Sequence, residues 1–255
     1  MIELDGLEYA QARLWARNGE RPDEVEWRQI EVIRELHAAL DATHGTRLRH
    51  WTAGIASRDG AHQIEATLRQ HWRGLVAEVT GWMPVEWRAS LAWCGALIEL
   101  PTLQYLARGG EQLTWMRDDP VYRGLWSDVP GARSGVPISG SLAPLAPAWA
   151  NPDRFLAEWR AEWTRRLPRS LAAIPLLERL SAVLEEHFAL FGTAAPSESW
   201  PLRRALQVRL ASLFRRAVLD PAAAFVFLAL SALDVERLRA ELVRRATFPR
   251  SPLAA

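Results

Sequence analysis

The chain has 255 residues, about half of them hydrophobic and a quarter charged, with a formal net charge of +1. That composition excludes a disordered chain, and the near-neutral total excludes strong whole-molecule attraction to nucleic acid or to a membrane surface. A single cysteine, Cys94, excludes an intrachain disulfide, and its apolar surroundings favour a packed thiol over a reactive one.

Charge is unevenly spread. Residues 1–60 carry more acids than arginines, whereas residues 200–255 carry ten arginines against four acids. Every basic residue is arginine, a bias that GC-rich coding explains without a functional choice. The N-terminus lacks the basic and apolar regions of a secretory signal, so a cytoplasmic location is the expectation.

Helical signals then follow one another along the chain. The first helix is predicted over residues 3–17, with Asn18-Gly19 as its stop. Pro22-Asp23-Glu24 opens a second, carried to His44 by Trp27, Ile30, Ile33, Leu36 and Leu40 at helical spacing. A short helix is expected near 48–55. A long one covers 61–80, ended by Gly81. Another starts at Pro84, is apolar nearly all round over 91–100, and is kinked by Pro101.

Residues 127–151 are rich in Pro, Gly and Ser and read as a linker. Asn151-Pro152 is expected to cap a helix carrying Phe155, Leu156, Trp159 and Trp163 on one stripe. Helices over 170–191 and 202–219 follow, separated by GTAAPSESWP. The last runs from Asp220-Pro221 to about Thr247. Its apolar run of 13 residues from Pro221 falls short of the roughly 20 needed to span a bilayer, so it reads as a core helix.

The chain carries no HExxH, G-x-S-x-G, P-loop or G-x-G-x-x-G, so no catalytic residue, metal ligand or cofactor is assigned. Thirteen tryptophans suit core packing, with a few left for a partner surface. Arg203, Arg204, Arg209, Arg215 and Arg216 make one helix basic. Its leucines give it the form of an amphipathic helix with a solvated charged face. A faint echo relates ALIELPTLQYLAR at 96–108 to SALDVERLRAELV at 231–243, as a degenerate helical repeat would.

EYAQARLWARNG, through Tyr9, Ala12, Arg13 and Arg17, resembles the opening helix of the C/d subunits of V-type and archaeal rotary ATPases. AHQIEATLRQHW, LIELPTLQYLARGG and LDVERLRAELVRR are similar to further helices of that family. Thr102 and Arg237 stand where the family usually has Asn, and the chain is shorter than its members. The resemblance implies a helical adaptor without catalysis, seated at a membrane complex through a protein partner, with Tyr9, Arg13 and Arg17 as contact residues.

The expected architecture is all-α, a two-lobed irregular helical bundle with lobes at 1–127 and 151–255 around a 128–150 linker, without a transmembrane segment. The expected role is non-catalytic docking. The alternatives are a helical enzyme or small-molecule binder with a Trp-lined pocket between the lobes, and arginine-mediated nucleic-acid binding.

Overall fold

A computed structural model describes residues 5–123, 138, 140–168 and 175–248. Among them every regular element is a helix, and there are no strands. The α-helices are α1 (Asp5–Gly19), α2 (Glu24–Glu31), α3 (Leu36–His44), α4 (Arg49–Thr52), α5 (Ala61–Trp82), α6 (Val85–Trp93) and α7 (Leu100–Ala107). They continue with α8 (Thr114–Asp118), α9 (Pro120–Arg123), α10 (Phe155–Arg166), α11 (Pro175–Thr193), α12 (Ser199–Arg216) and α13 (Ala222–Thr247). Short 3₁₀ segments cover Cys94–Glu99, Gly140–Ala148, Pro152–Arg154 and Pro196–Glu198.

Several boundaries differ from expectation, each for a physical reason. The helix expected across 24–44 is two helices. At the break, the carbonyls of Ile30 and Ile33 accept hydrogen bonds from the Arg245 guanidinium at 2.6–2.9 Å, so a side chain from α13 replaces the helical ladder. Its start is as the sequence indicates. Asp23 accepts from the Val25 and Glu26 amides, and Glu26 reaches back to the Asp23 amide in a capping box.

Gly81 lies inside α5 rather than ending it. The stop is Met83, held extended by the following Pro84. Pro101 occupies the first turn of α7, where its missing N–H is harmless, and the irregularity falls upstream in the 3₁₀ segment Cys94–Glu99. Asn151 makes no side-chain cap, and a 3₁₀ turn leads into α10 instead. α12 starts at Ser199 and ends by Ala217. Beyond it Leu219 takes a left-handed backbone (φ 52°), its amide donating to Gln11 Oε1 of α1.

α13 is the central element and packs against α5, α12, α1, α11 and α3. Its first half is buried almost all round, from Ala222 through Leu230, as the oily sequence demands. The main core combines Leu14, Trp27, Ile64, Leu68 and Trp87 with Leu180, Leu210, Leu228 and Leu238, so residues on both sides of 128–150 share one interior. A second cluster gathers Trp93, Leu103, Met116, Tyr122, Leu145 and Phe155. Within the expected linker, 128–137 and 139 lie outside the described residues. Residues 140–148 are helical and bury Leu142, Leu145 and Ala148 against α10.

The acidic N-terminal and basic C-terminal ends of the sequence meet in space. Arg21 forks onto Asp234, Arg237 grips Glu24 and Glu31, and Arg239 pairs with Glu65. In the echoed segments the matching acids Glu99 and Asp234 are both buried and both held by an arginine distant in sequence, Arg73 of α5 and Arg21 between α1 and α2. The backbones differ: one segment is a 3₁₀ turn joined to α7, the other one continuous helix.

Candidate functional site

Two kinds of place could carry function: buried polar clusters and cavities. The most ionic buried cluster centres on Glu99. Its carboxylate accepts from Arg73 Nε at 2.9 Å and Nη2 at 2.6 Å, and from the Tyr122 hydroxyl; Arg73 also donates to Asp119 at 3.1 Å. Burial and the neighbouring Glu99 charge push the Tyr122 hydroxyl up, which keeps it a protonated donor. Burial opposes the Arg73 charge, but Glu99 and Asp119 outweigh it. Every charge here faces an opposite one. The cluster fastens α8 and α9 to α5 and the 3₁₀ segment, and none of Arg73, Glu99, Asp119 or Tyr122 lines the hollows described below.

The second place is an apolar cavity of about 160 Å³ between α10, α11 and α13. Each helix turns one face to it. α10 gives Leu156, Trp159, Arg160 and Trp163, and α13 gives Phe225, Leu228, Ala229 and Ala232, both at spacings of three and four. α11 gives Leu180, Ser181, Leu184, Glu185 and Phe188. Trp72 of α5, with Cys94 and Leu97 of the 3₁₀ segment, completes the wall.

Its shape is fixed by interlocking rings. Trp93 Nε1 donates to the Trp159 carbonyl at 2.9 Å, and Trp159 Nε1 donates to the Trp93 carbonyl at 3.2 Å. This crossed pair pins α10 to the end of α6. The Arg166 guanidinium covers the Trp93 ring at 4.5 Å. Trp159 and Trp163 lie nearly parallel, 11° apart with centroids 6.3 Å apart. Phe225 meets Trp163 edge-on at 85° and 5.4 Å. The small side chains Ala229 and Ala232 leave the space that larger residues on α13 would fill. The only charged groups on the lining, Arg160 and Glu185, form an ion pair between α10 and α11, with both side chains about half exposed.

The chemistry of this lining is that of binding. Burial pushes the Cys94 thiol up to about 12, so it is protonated at neutral pH and a poor nucleophile. Among the described residues no three of His, Cys, Asp and Glu come together to hold a metal ion. The Nε1 atoms of Trp72 and Trp163 are buried without an acceptor among the described residues. Larger surface hollows exist; in one of about 420 Å³ bounded by Arg203, Arg204, Arg237, Glu31, Asp234 and Glu241 the charges are already paired with one another or with neighbours.

The residues singled out by sequence lie elsewhere. Tyr9 is exposed on α1. Arg13 stands over the Trp82 ring, 4.0 Å from Glu78, and Arg17 donates to Glu78 and Glu20, so both arginines are turned to acids of their own chain. Arg203 pairs with Glu236 beside the rings of Phe191 and Trp200, Arg204 with Glu24, and Arg209 with Glu186. Arg215 and Arg216 are exposed in the last turn of α12, where the helix dipole favours cations. Three of the five arginines of that basic face are thus engaged with acids of the chain.

Sequence reasoning placed Trp159 and Trp163 on one helical stripe and Cys94 in an apolar setting. It did not bring α11 and α13 to them. The small residues Ala229 and Ala232 were visible in the sequence, but so were Ala222, Ala223, Ala224 and Ser231 in the same run, which do not line the cavity. No family model, curated protein or solved structure matches the chain, and nothing in these comparisons links it to rotary-ATPase subunits.

Proposed function

We propose that the protein is a non-catalytic binding protein whose site is the tryptophan-walled cavity between α10, α11 and α13. The observation that carries this reading is the cavity itself: about 160 Å³ of apolar space walled by rings held in fixed orientation, with its one ion pair half exposed to solvent. A preformed apolar hollow of this kind gains by admitting an apolar guest, because its lining lacks partner atoms on one side. Its lining offers a guest surfaces to lie against and no nucleophile or acid–base pair poised to react.

The test is thermal unfolding with a panel of compact apolar compounds, on the native chain and on Ala229→Phe, which fills the space from α13. A compound at ten times its dissociation constant stabilises by about 1.4 kcal/mol, a rise in Tm of about 3 °C for a chain of this size. The native protein shows that rise and the filled variant does not. No rise with any compact apolar compound contradicts the reading.

A second reading, docking of a protein partner, rests on a different observation. The C-terminal half of α11 exposes Phe188 and Leu190, and the start of α12 exposes Trp200. It keeps the adaptor role that the resemblance implies and moves the contact away from Arg13 and Arg17. Co-purification of a stoichiometric partner that is lost in Leu190→Asp, a residue outside the cavity lining, supports it, and unchanged co-purification in that variant opposes it.

A further inference from the structure

We infer that the cavity selects a flat, uncharged aromatic molecule of one ring or two fused rings. This rests on the binding reading above and adds the class of ligand. Volume sets the size. An engineered apolar cavity of about 150 Å³ in another protein stays dry and takes up benzene. The space here, about 160 Å³ and open to solvent beside Phe188 and the Arg160–Glu185 pair, has room for the same class.

The walls set the shape. The Trp159 ring cannot tilt away without breaking the hydrogen bond its Nε1 donates to the Trp93 carbonyl, and the edge of one ring is set against the face of the other where Trp163 meets Phe225. Rings at fixed angles offer a flat guest stacked and edge-on contacts together, which a linear or puckered guest of equal hydrophobicity cannot make. Such contacts are worth about three- to tenfold in affinity.

Charge sets the last limit. Arg160 and Glu185 already neutralise each other. An anion or cation entering the apolar part would lose its hydration and find no free counter-charge there.

The experiment is isothermal titration calorimetry of the native chain with indole, 1-hexanol and cyclohexylmethanol, which are matched in water–octanol partition, and with benzoate and benzylammonium as charged arms. Indole binds with a dissociation constant on the order of 100 μM, about three- to tenfold tighter than either alcohol, and the ions give no measurable heat. Binding of indole is lost in Ala229→Phe. Leu184→Trp, which fills the space from α11, gives the same answer should the first variant fail to fold.

If 1-hexanol or cyclohexylmethanol binds as tightly as indole, the aromatic class is wrong while the binding site stands. Benzoate or benzylammonium binding in the same range overturns the restriction to uncharged guests. If nothing binds, the binding reading falls with the inference. Indole binding that survives in a folded, filled variant places it outside the cavity and overturns both.

Discussion

Arg245 shows how much one side chain can decide. It is fully buried, yet it is an arginine, because its guanidinium donates to the Ile30 and Ile33 carbonyls between α2 and α3 and also reaches Glu241. Replacing it by leucine leaves the Ile33 carbonyl without a donor, at a cost of about 1–3 kcal/mol, and takes the second donor from the Ile30 carbonyl, which still accepts from the Ile33 amide. Arg245→Leu is therefore expected to lower stability by about 2–4 kcal/mol, read from urea unfolding. Amide exchange should speed up first in residues 30–36.

Arg237 makes a pH-dependent counterpart. Its hydrogen bonds hold the Glu24 carboxyl below the usual glutamate value. A depressed folded-state pKa contributes stability that is present above the unfolded value, about 4.3, and is lost as pH falls through the folded one. Glu24 is partly exposed, so solvent screens the effect and only its direction is claimed. Arg237→Met should flatten the fall in Tm below about pH 4.3 relative to the native chain; an unchanged acid limb would show that Glu24 titrates as it does unfolded.

At the scale of elements, α10 matters because it supplies two of the cavity's rings. Trp93→Phe removes the donor to the Trp159 carbonyl and empties part of the indole site. The expected cost is about 1–2 kcal/mol together with a smaller ligand-induced Tm rise, measured in the same thermal assay. Stability lost with the ligand response intact would mean that the bond from Trp159 Nε1 to the carbonyl of residue 93, which the variant keeps, holds the ring by itself.

The elements also show what the sequence carried and what it could not. Helices with strong apolar periodicity, such as α5 and α13, were legible because burial and a 3.6-residue period leave the same mark. The break at 32–35 was not, because the arginine that stabilises it lies more than two hundred residues away. Gly81 was read as a stop because glycine has low helix propensity, but Pro84 acts on Met83 more strongly through sterics. The cavity was legible on one face, Trp159 and Trp163 on α10. Which faces meet depends on packing order, and no local pattern encodes that. The tryptophans of the first hundred residues were weighed as a group, and among them Trp72 lines the site, Trp93 holds Trp159 and Trp87 packs against Phe225.

For the whole molecule, the charge asymmetry of the sequence is consumed by folding. The acids of the N-terminal helices and the arginines of α12 and α13 pair across the fold through Arg204, Arg237 and Arg239, and Arg21 pairs in the opposite sense with Asp234 of α13. That pairing takes up much of the positive face a phosphate backbone would need and weakens the nucleic-acid reading. No helix among the described residues is long and apolar enough to cross a membrane. What remains unspent is apolar: the cavity, and the exposed rings at the end of α11.

The account stands most directly on whether that cavity is an empty apolar space able to take a guest. A crystal of the protein pressurised with xenon tests this, since dry apolar cavities of this size admit it. The account predicts an anomalous peak between Trp159, Trp163, Phe225 and Leu228, absent in Leu184→Trp. Ordered water at that position, or side chains closed over it with no xenon bound, would contradict it.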